Sequence, residues 1–169
     1  MTRRFFMATA LGFGGAMLFS AAAPAAWLNV NFLKKKGASF PYGLSEAQWR
    51  KKLGEEGYKV LRDGENETAG TSPLLRERRK GVYACAGCDT ALFGSSSKMM
   101  ANDYPTFRAP LNRAALGTSA DFGIILPRTE VHCKNCGSHL GYKFMPDNDG
   151  RAELWRYVIN GVSLAFHPA

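Results

Sequence analysis

This sequence of 169 residues lacks the features of several protein classes. It contains no internal repeat and no low-complexity run, which argues against repeat arrays and compositionally disordered chains. No long amphipathic helix occurs after Gly81, so an alternating arrangement of strands and helices is excluded for that part of the chain. No aromatic-basic recognition motif accompanies the net charge of +8. We therefore interpret the charge as favouring solubility, and we expect no nucleic-acid partner.

Acidic residues are missing from 1–26, and residues 5–26 carry no charge at all. A cationic start at Arg3 and Arg4, an apolar run and a small-residue end at 23–25 are typical of an export signal, here with a twin-arginine-like opening. The apolar run is also long enough to span a bilayer, so a retained membrane anchor is the alternative. We expect an exported, periplasmic or extracytoplasmic protein, or one anchored to the membrane through this segment alone.

The folded part is expected to begin after a linker over residues 27–43. Ser45 is the expected N-cap of a helix, because Gln48 three residues later completes a capping box. Gly54 should end this helix, and a second short helical turn follows it. We predict one domain over residues 44–166.

Short strand-like segments separated by turn residues fill the rest of the chain. Near the C-terminus, Asn160-Gly161 is a strong hairpin signal between two such segments. This pattern of short strand-like segments predicts an α+β fold that is mainly β, with antiparallel sheets or a small barrel and helices at the N-terminal end. The candidate strands read GVYACAGC, TALF, DFGIIL, RTEVHC, HLGYKF, LWRYVI and VSLAF.

Cysteine is scarce, and all four residues fall into two C-x-x-C pairs separated by residues 89–132. Two such pairs are typical of a closed tetrathiolate zinc site, which is structural and holds one zinc per chain. In an oxidising compartment the alternative is two disulfides or a redox-active pair. Neither pair opens a helix in a βαβ context, which disfavours thioredoxin-like chemistry. The four predicted ligands are Cys85, Cys88, Cys133 and Cys136.

Four longer stretches of this part of the chain, together with the N-terminal helix, resemble one known family. They read GVYACAGCDTALF, YPTFRAP, EVHCKNCGSHLGYKF and RYVINGVSLAF. The chain is similar to the zinc-binding B-type methionine sulfoxide reductases, which reduce the R epimer of methionine sulfoxide. The match runs over residues 44–166 in collinear order. It implies a barrel-like fold of two antiparallel sheets, with the four cysteines as zinc ligands.

Valine occupies the position that the resemblance assigns to the catalytic cysteine. The family's nucleophile lies in a segment of the form R-[YHF]-C-[IV]-N-S, whereas this chain reads R-Y-V-I-N-G over 156–161, with Val158 in third place. In the resembling enzymes a thiolate attacks the sulfoxide sulfur, methionine leaves and a sulfenic acid remains on the enzyme. Val158 has no lone pair for this attack, and all four cysteines are assigned to the metal.

Other pocket positions of the resembling family have also changed. Tyr104 stands where a tryptophan packs the substrate's methyl group, and Asn102 stands where many members have a recycling cysteine. Tyr142 replaces the second histidine of H-L-G-H. The aromatic residues could equally be ordinary packing, and the histidine of the matching set could be a core residue. The matching positions are Phe107, His139, Arg156 and Asn160.

Three interpretations of the function follow from this pattern. The first is a pseudoenzyme that binds a methionine-sulfoxide-like small ligand or an oxidised protein through the former cleft. The second is an oxidoreductase of the same family with altered or residual activity, in which tyrosine, histidine and arginine side chains supply acid-base or electrostatic groups. The third, a zinc module for nucleic acid, is disfavoured by export.

Overall fold

A computed structural model describes residues 39–121, 128–144 and 156–169. The predicted export signal and most of the predicted linker lie outside the described residues, as do parts of the strands expected at 121–126 and 154–159. Within the described residues, no helix combines the length and the apolar character needed to cross a bilayer.

Within residues 39–80, which the structure describes in full, one α-helix, α1 (Glu46–Asp63), precedes the sheets. Its start is the predicted capping box, in which Ser45 and Gln48 each bond the other's backbone N–H. Gly54 lies inside α1 with a non-helical backbone (φ 69°, ψ 175°), so two helical pieces meet there, as its sequence predicts. Gly64 ends the helix in the left-handed conformation that glycine adopts without strain (φ 76°).

In the part of the chain that the structure describes, nine strands form two antiparallel sheets, which confirms the predicted mainly β fold. The three-stranded sheet has the order β2-β1-β9 and the six-stranded sheet has the order β3-β4-β8-β7-β6-β5. The strands are β1 (Gly81–Cys85), β2 (Ala91–Gly94), β3 (Lys98–Met99), β4 (Thr106–Phe107), β5 (Leu116–Asp121), β6 (Arg128–Cys133), β7 (His139–Phe144), β8 (Arg156–Ile159) and β9 (Leu164–Pro168). The described residues also form four 3-10 helices, of which Pro73–Arg76 precedes β1 and Ser95–Ser97, Arg113–Ala115 and Gly161–Ser163 lie between strands.

An aromatic cluster joins the two sheets. Phe93 of β2 stacks on Phe107 of β4 with ring centroids 4.4 Å apart, and Tyr83 of β1 meets the same Phe107 edge-on at 5.0 Å. All three side chains are fully buried. Because aromatic side chains bury large apolar areas, this cluster is a major source of the contact between the sheets.

The predicted hairpin at Asn160-Gly161 is wrong. β8 pairs with β4 and β7 in one sheet, whereas β9 pairs with β1 in the other, so the chain crosses between sheets at this point. Asn160 has φ −61°, which a type I′ turn does not allow at its central residues. Gly161 is needed for a different reason: a Cβ atom there would overlap the Ser72 hydroxyl.

Candidate metal centre and cleft

The two C-x-x-C pairs each form a tight turn at the end of a strand. Cys85 ends β1 and Cys133 ends β6. In each turn the N–H four residues on donates to the first cysteine's carbonyl, from Asp89 to Cys85 at 2.7 Å and from Gly137 to Cys133 at 2.8 Å. Both donating residues have positive φ, 60° and 73°. The sequence therefore builds two matching turns whose sulfurs point to one place.

The four sulfurs lie within 4.8 Å of one another, and all four cysteines are free. The closest sulfurs belong to different pairs, with Cys85 and Cys136 3.7 Å apart and Cys88 and Cys133 3.6 Å apart. Sulfurs held about 2.3 Å from a tetrahedral metal ion lie roughly 3.8 Å from each other. A disulfide would need about 2.05 Å. These distances fit a four-thiolate metal site. They are too long for disulfide bonds, so the alternative of two disulfides is not present in this structure.

Neighbouring groups favour the charged form of some of these thiols. Hydrogen bonding with Cys133, and then with Cys85, lowers the pKa of the Cys136 thiol to about 7, although burial opposes this. The Ser138 hydroxyl lies 3.3 Å from the Cys136 sulfur, and Arg62 donates to the Cys136 carbonyl at 2.9 Å. Hydrogen bonding between the sulfurs also lowers the pKa of Cys88 but raises the pKa of Cys85 and Cys133, so the thiolate form that metals bind is favoured at Cys88 and Cys136.

A pocket of about 130 Å³ lies on one face of the six-stranded sheet, apart from the metal cluster. Val158 of β8 is the register partner of Tyr142 of β7, so their side chains project on the same face. Gly141 has φ 151°, and a Cβ atom there would overlap the Val158 carbonyl. The lining residues are Asn66, Tyr104, Arg128, Gly141, Tyr142, Phe144, Val158 and Asn160.

Four of the pocket positions named from the sequence line this cleft: Tyr104, Tyr142, Val158 and Asn160. The other three do not. Phe107 belongs to the aromatic cluster between the sheets, and Arg156 is half-buried at the start of β8. His139 is 1% exposed, and its Nδ1 lies 2.7 Å from the Glu130 carboxylate. His139 contacts the cleft only indirectly, through an edge-on approach of its ring to that of Tyr142.

Both tyrosine hydroxyls of the cleft are held by neighbours. Tyr104 donates to the Glu67 carbonyl at 2.9 Å. The Arg128 guanidinium lies 3.8 Å from the centre of the Tyr142 ring, and its Nη2 donates to the Tyr142 hydroxyl and to the Asp121 carboxylate, both at 3.0 Å. Burial raises the pKa of Tyr142 to about 12, although the charge of Arg128 opposes the shift. Tyr142 is therefore a neutral phenol at physiological pH.

Sequence reasoning missed Arg128 and Glu67. The Glu67 carboxylate is buried and accepts hydrogen bonds from the N–H groups of Gly161 and Val162, at 2.5 and 3.3 Å. The Glu67 N–H in turn donates to the Asn160 side chain at 3.0 Å. Glu67 lies in a polar loop whose composition gives no sign of burial, so only the fold brings it to the cleft.

The fold and the cysteine cluster together define a mainly β protein with four cysteines placed to hold a metal ion and with a separate cleft. The sequence model of the SelR domain matches residues 53–168, and the chain belongs to that family. Relatives support the assignment along most of their own length. The chain is 42% identical over 125 residues to the peptide methionine sulfoxide reductase MsrB of Leifsonia xyli, covering 73% of this chain and 89% of that protein. It is 40% identical over 125 residues to the MsrB of Agrobacterium fabrum (73% and 91%), and 38% identical over 130 residues to that of Leptospira interrogans (76% and 97%).

Proposed function

We propose that this protein is a zinc-binding member of the methionine sulfoxide reductase family that has lost the reductase reaction. The observation that carries the proposal is Val158, a hydrocarbon side chain in the cleft at the position that the resemblance assigns to the nucleophile. All four cysteines of the sequence belong to the metal-binding cluster, so no other thiol is available to replace it.

The reductase reaction needs a group that attacks sulfur and then holds the oxygen. A thiolate donates its electron pair to the sulfoxide sulfur and becomes a sulfenic acid that a reductant later restores. Tyr104 and Tyr142 can donate protons or hydrogen bonds, but a neutral phenol does not supply the two electrons that the reduction consumes. Loss of the thiol therefore removes the chemical step and leaves the binding surface.

The cleft that remains is suited to a small ligand with an apolar end. The rings of Tyr104 and Tyr142, with Val158, form apolar walls, while Asn66 and Asn160 bring amide groups to the same pocket. We propose that it binds a methionine-sulfoxide-like group, either as a small molecule or as an oxidised residue of a protein, without turnover. Tyr142 replaces a basic imidazole there, so the retained binding is expected to be weak.

Zinc is the metal that we assign to the cysteine cluster, at one ion per chain. The four-sulfur donor set and the sulfur–sulfur distances of 3.6 and 3.7 Å suit a closed tetrahedral site. Cys85, Cys88, Cys133 and Cys136 would hold the ion, and no donor position would remain for a substrate. The role of the metal is then to fix the ends of β1 and β6 together.

We also propose that residues 1–26 export the protein, with retention as a membrane anchor as the alternative. Support comes from the paired arginines, the uncharged run and the small-residue end of this segment. Fractionation of cells that produce the full chain, with the N-terminus of the exported form sequenced, distinguishes cleavage from anchoring. An Arg3→Lys, Arg4→Lys pair that still exports normally would contradict the twin-arginine route.

The loss of activity is tested with the purified protein, dithiothreitol and both epimers of a blocked methionine sulfoxide. We expect no reduction of either epimer, together with weak, saturable binding seen as chemical-shift changes at Tyr104 and Asn160. Reduction of the R epimer by the unaltered protein would favour the alternative, an oxidoreductase with residual activity. Absence of both turnover and binding would contradict the proposed role of the cleft.

A further inference from the structure

A hydrogen-bonded path leads from α1 to one of the four clustered sulfurs. Arg62 of α1 donates through Nη1 to the Cys136 carbonyl at 2.9 Å and to the Ser138 hydroxyl at 3.4 Å. The Ser138 oxygen in turn lies 3.3 Å from the Cys136 sulfur. A guanidinium that is 74 residues away in the chain is therefore joined both to the backbone and, through a hydroxyl, to the sulfur of this cysteine.

Gly87 of the first C-x-x-C pair leaves room for the Ser138 hydroxyl. The φ of Gly87 lies outside the left-handed region, so its backbone conformation does not require glycine. A Cβ atom at this position would overlap the Ser138 hydroxyl oxygen and would lie 3.4 Å from the Cys136 sulfur. Ser138 is fully buried. The hydroxyl of the second turn is thus enclosed against the first turn, at a place where only glycine fits.

The Trp49 ring helps to hold the Arg62 guanidinium in place. The guanidinium carbon lies 4.6 Å from the centre of this ring, within the range of a cation–π contact. Trp49 is itself buried in the core, on the same helix as Arg62. The cation at the cysteine turn is therefore fixed by a packed side chain as well as by its hydrogen bonds.

This arrangement complements a cysteine that is bound to a metal. A thiolate accepts hydrogen bonds and has no proton to donate, so in that form the Ser138 hydroxyl donates to the Cys136 sulfur while its oxygen accepts from Arg62. Four thiolates around one divalent ion carry a net negative charge, and the nearby guanidinium offsets part of it. Hydrogen bonds to a ligating group also fix its orientation.

We propose that Arg62 and Ser138 are positioning residues of the metal centre, which hold the Cys136 thiolate in its ligating geometry and raise the affinity of the cluster for its ion. The four sulfurs fill a tetrahedral site, so neither residue touches the ion. This inference rests on the metal-binding role proposed above, and it is independent of the cleft and of the loss of the reductase reaction.

The test is a competition for zinc between a chromogenic chelator and the purified, zinc-loaded full chain. Arg62→Met keeps an aliphatic chain beside Trp49 but removes the charge and the hydrogen bonds, and Ser138→Ala removes the hydroxyl. Each should lower the zinc affinity by about tenfold or more, the range found for such partners of metal ligands. Arg62→Lys retains a cationic donor and should lose less. The double variant should lose less than the product of the two single effects, because both residues act on Cys136.

Two controls separate this role from general effects of charge and stability. Arg50→Met removes the same charge from another arginine of α1, whose guanidinium lies 3.9 Å from the centre of the Tyr58 ring, and should leave the zinc affinity unchanged. Glu67→Gln weakens the fold at the cleft and should also leave the affinity unchanged. Circular dichroism shows that each variant is folded. Arg62 is only partly buried, so Arg62→Met and its lysine counterpart are sufficient for the test if Ser138→Ala does not fold.

The outcomes distinguish this inference from the metal assignment. A parent that binds zinc normally, with unchanged affinity in Arg62→Met and Ser138→Ala, would overturn the positioning role and leave the metal assignment in place. Equal weakening in the two control variants would also overturn it. A folded parent that binds no zinc would overturn the metal assignment and this inference together.

Discussion

The cysteine cluster and the cleft belong to the same domain, but they differ in how many of the resembling family's residues they retain. The cysteine cluster has every donor that a tetrathiolate site requires, with the sulfurs of different pairs 3.6 and 3.7 Å apart. The cleft has a pocket of about 130 Å³, but Val158 lines it where the resemblance calls for a thiol. A metal site that fixes the fold is needed by any function of the domain, whereas a nucleophile is needed only by the reaction. This difference is what the proposed loss of the reductase reaction predicts.

The largest effect should come from removing one metal ligand. Cys133→Ser replaces a thiolate that joins the end of β6 to the other pair, and the free energy of metal binding is then lost from folding. We expect about one zinc per chain in the parent by elemental analysis, and much less zinc, yield and thermal stability in the variant.

Thr90→Val is the matched control for the metal centre, because it removes a hydroxyl 3.1 Å from the Cys88 sulfur and keeps all four sulfurs. Its zinc content should equal that of the parent. Protein that is metal-free, disulfide-bonded and fully folded would contradict the structural role of the metal. It would also contradict the comparison of an intact metal site with an altered cleft.

The second effect is a gain of activity in the cleft. Val158→Cys exchanges side chains of similar volume and should cost less than about 1.5 kcal/mol of stability. It restores a thiol beside Tyr142 and Tyr104, so we expect slow reduction of the R epimer with dithiothreitol, where the parent shows none. Adding Tyr142→His and Tyr104→Trp should raise the rate further.

Val158→Ala provides the matched control for the restored thiol, since it changes the same position without adding sulfur, and it should remain inert. A triple variant that is folded, binds zinc and is still inactive would show that the cleft differs at more than these three positions. In that case the residue-by-residue resemblance would extend to the fold but not to the pocket.

A third, intermediate effect concerns how the cleft is supported. Glu67→Gln replaces the charged acceptor, Glu67 Oε2, to which both the Gly161 and the Val162 N–H groups donate, with a neutral amide. Since a buried N–H group left without its charged acceptor costs about 1–3 kcal/mol, the free energy of unfolding in urea should fall by about that amount. Glu65→Gln, in the exposed part of the same loop, should have almost no effect. Equal stability of the two variants would contradict a supporting role for Glu67.

The smallest effect is a change of stability with pH. The pKa of Tyr142 is about 12 in the native protein, against about 10 for an unfolded tyrosine. Between these values the native state binds more protons, so stability should fall as the pH rises from about 10 to about 12. Tyr142→Phe should make this fall less steep, as measured by thermal melting across that range. An unchanged slope would contradict the burial of this phenol as its cause.

The local structural features of this protein were predicted well from its sequence. The capping box of Ser45 and Gln48, the break at Gly54 and the turns of the two cysteine pairs each depend on residues within about four positions of one another. Short-range hydrogen bonds determine such features, so the neighbouring residues are sufficient to predict them. The alternation of short β-rich segments was likewise sufficient for the mainly β class.

Features that depend on distant residues were decided only by the tertiary structure. Asn160-Gly161 is a sequence typical of a hairpin turn, but β8 pairs with β7 and β9 pairs with β1, so the flanking strands lie in different sheets. Glu67 reaches this crossing from a loop more than ninety residues earlier in the chain. Arg128 meets Tyr142 only because β6 lies beside β7. The sequence by itself therefore determined which four cysteines could hold a metal and that valine is residue 158, which are matters of residue identity. Strand register and the packing of the two sheets decided which side chains surround the cleft. These bring together residues that are far apart in the chain and share no sequence motif.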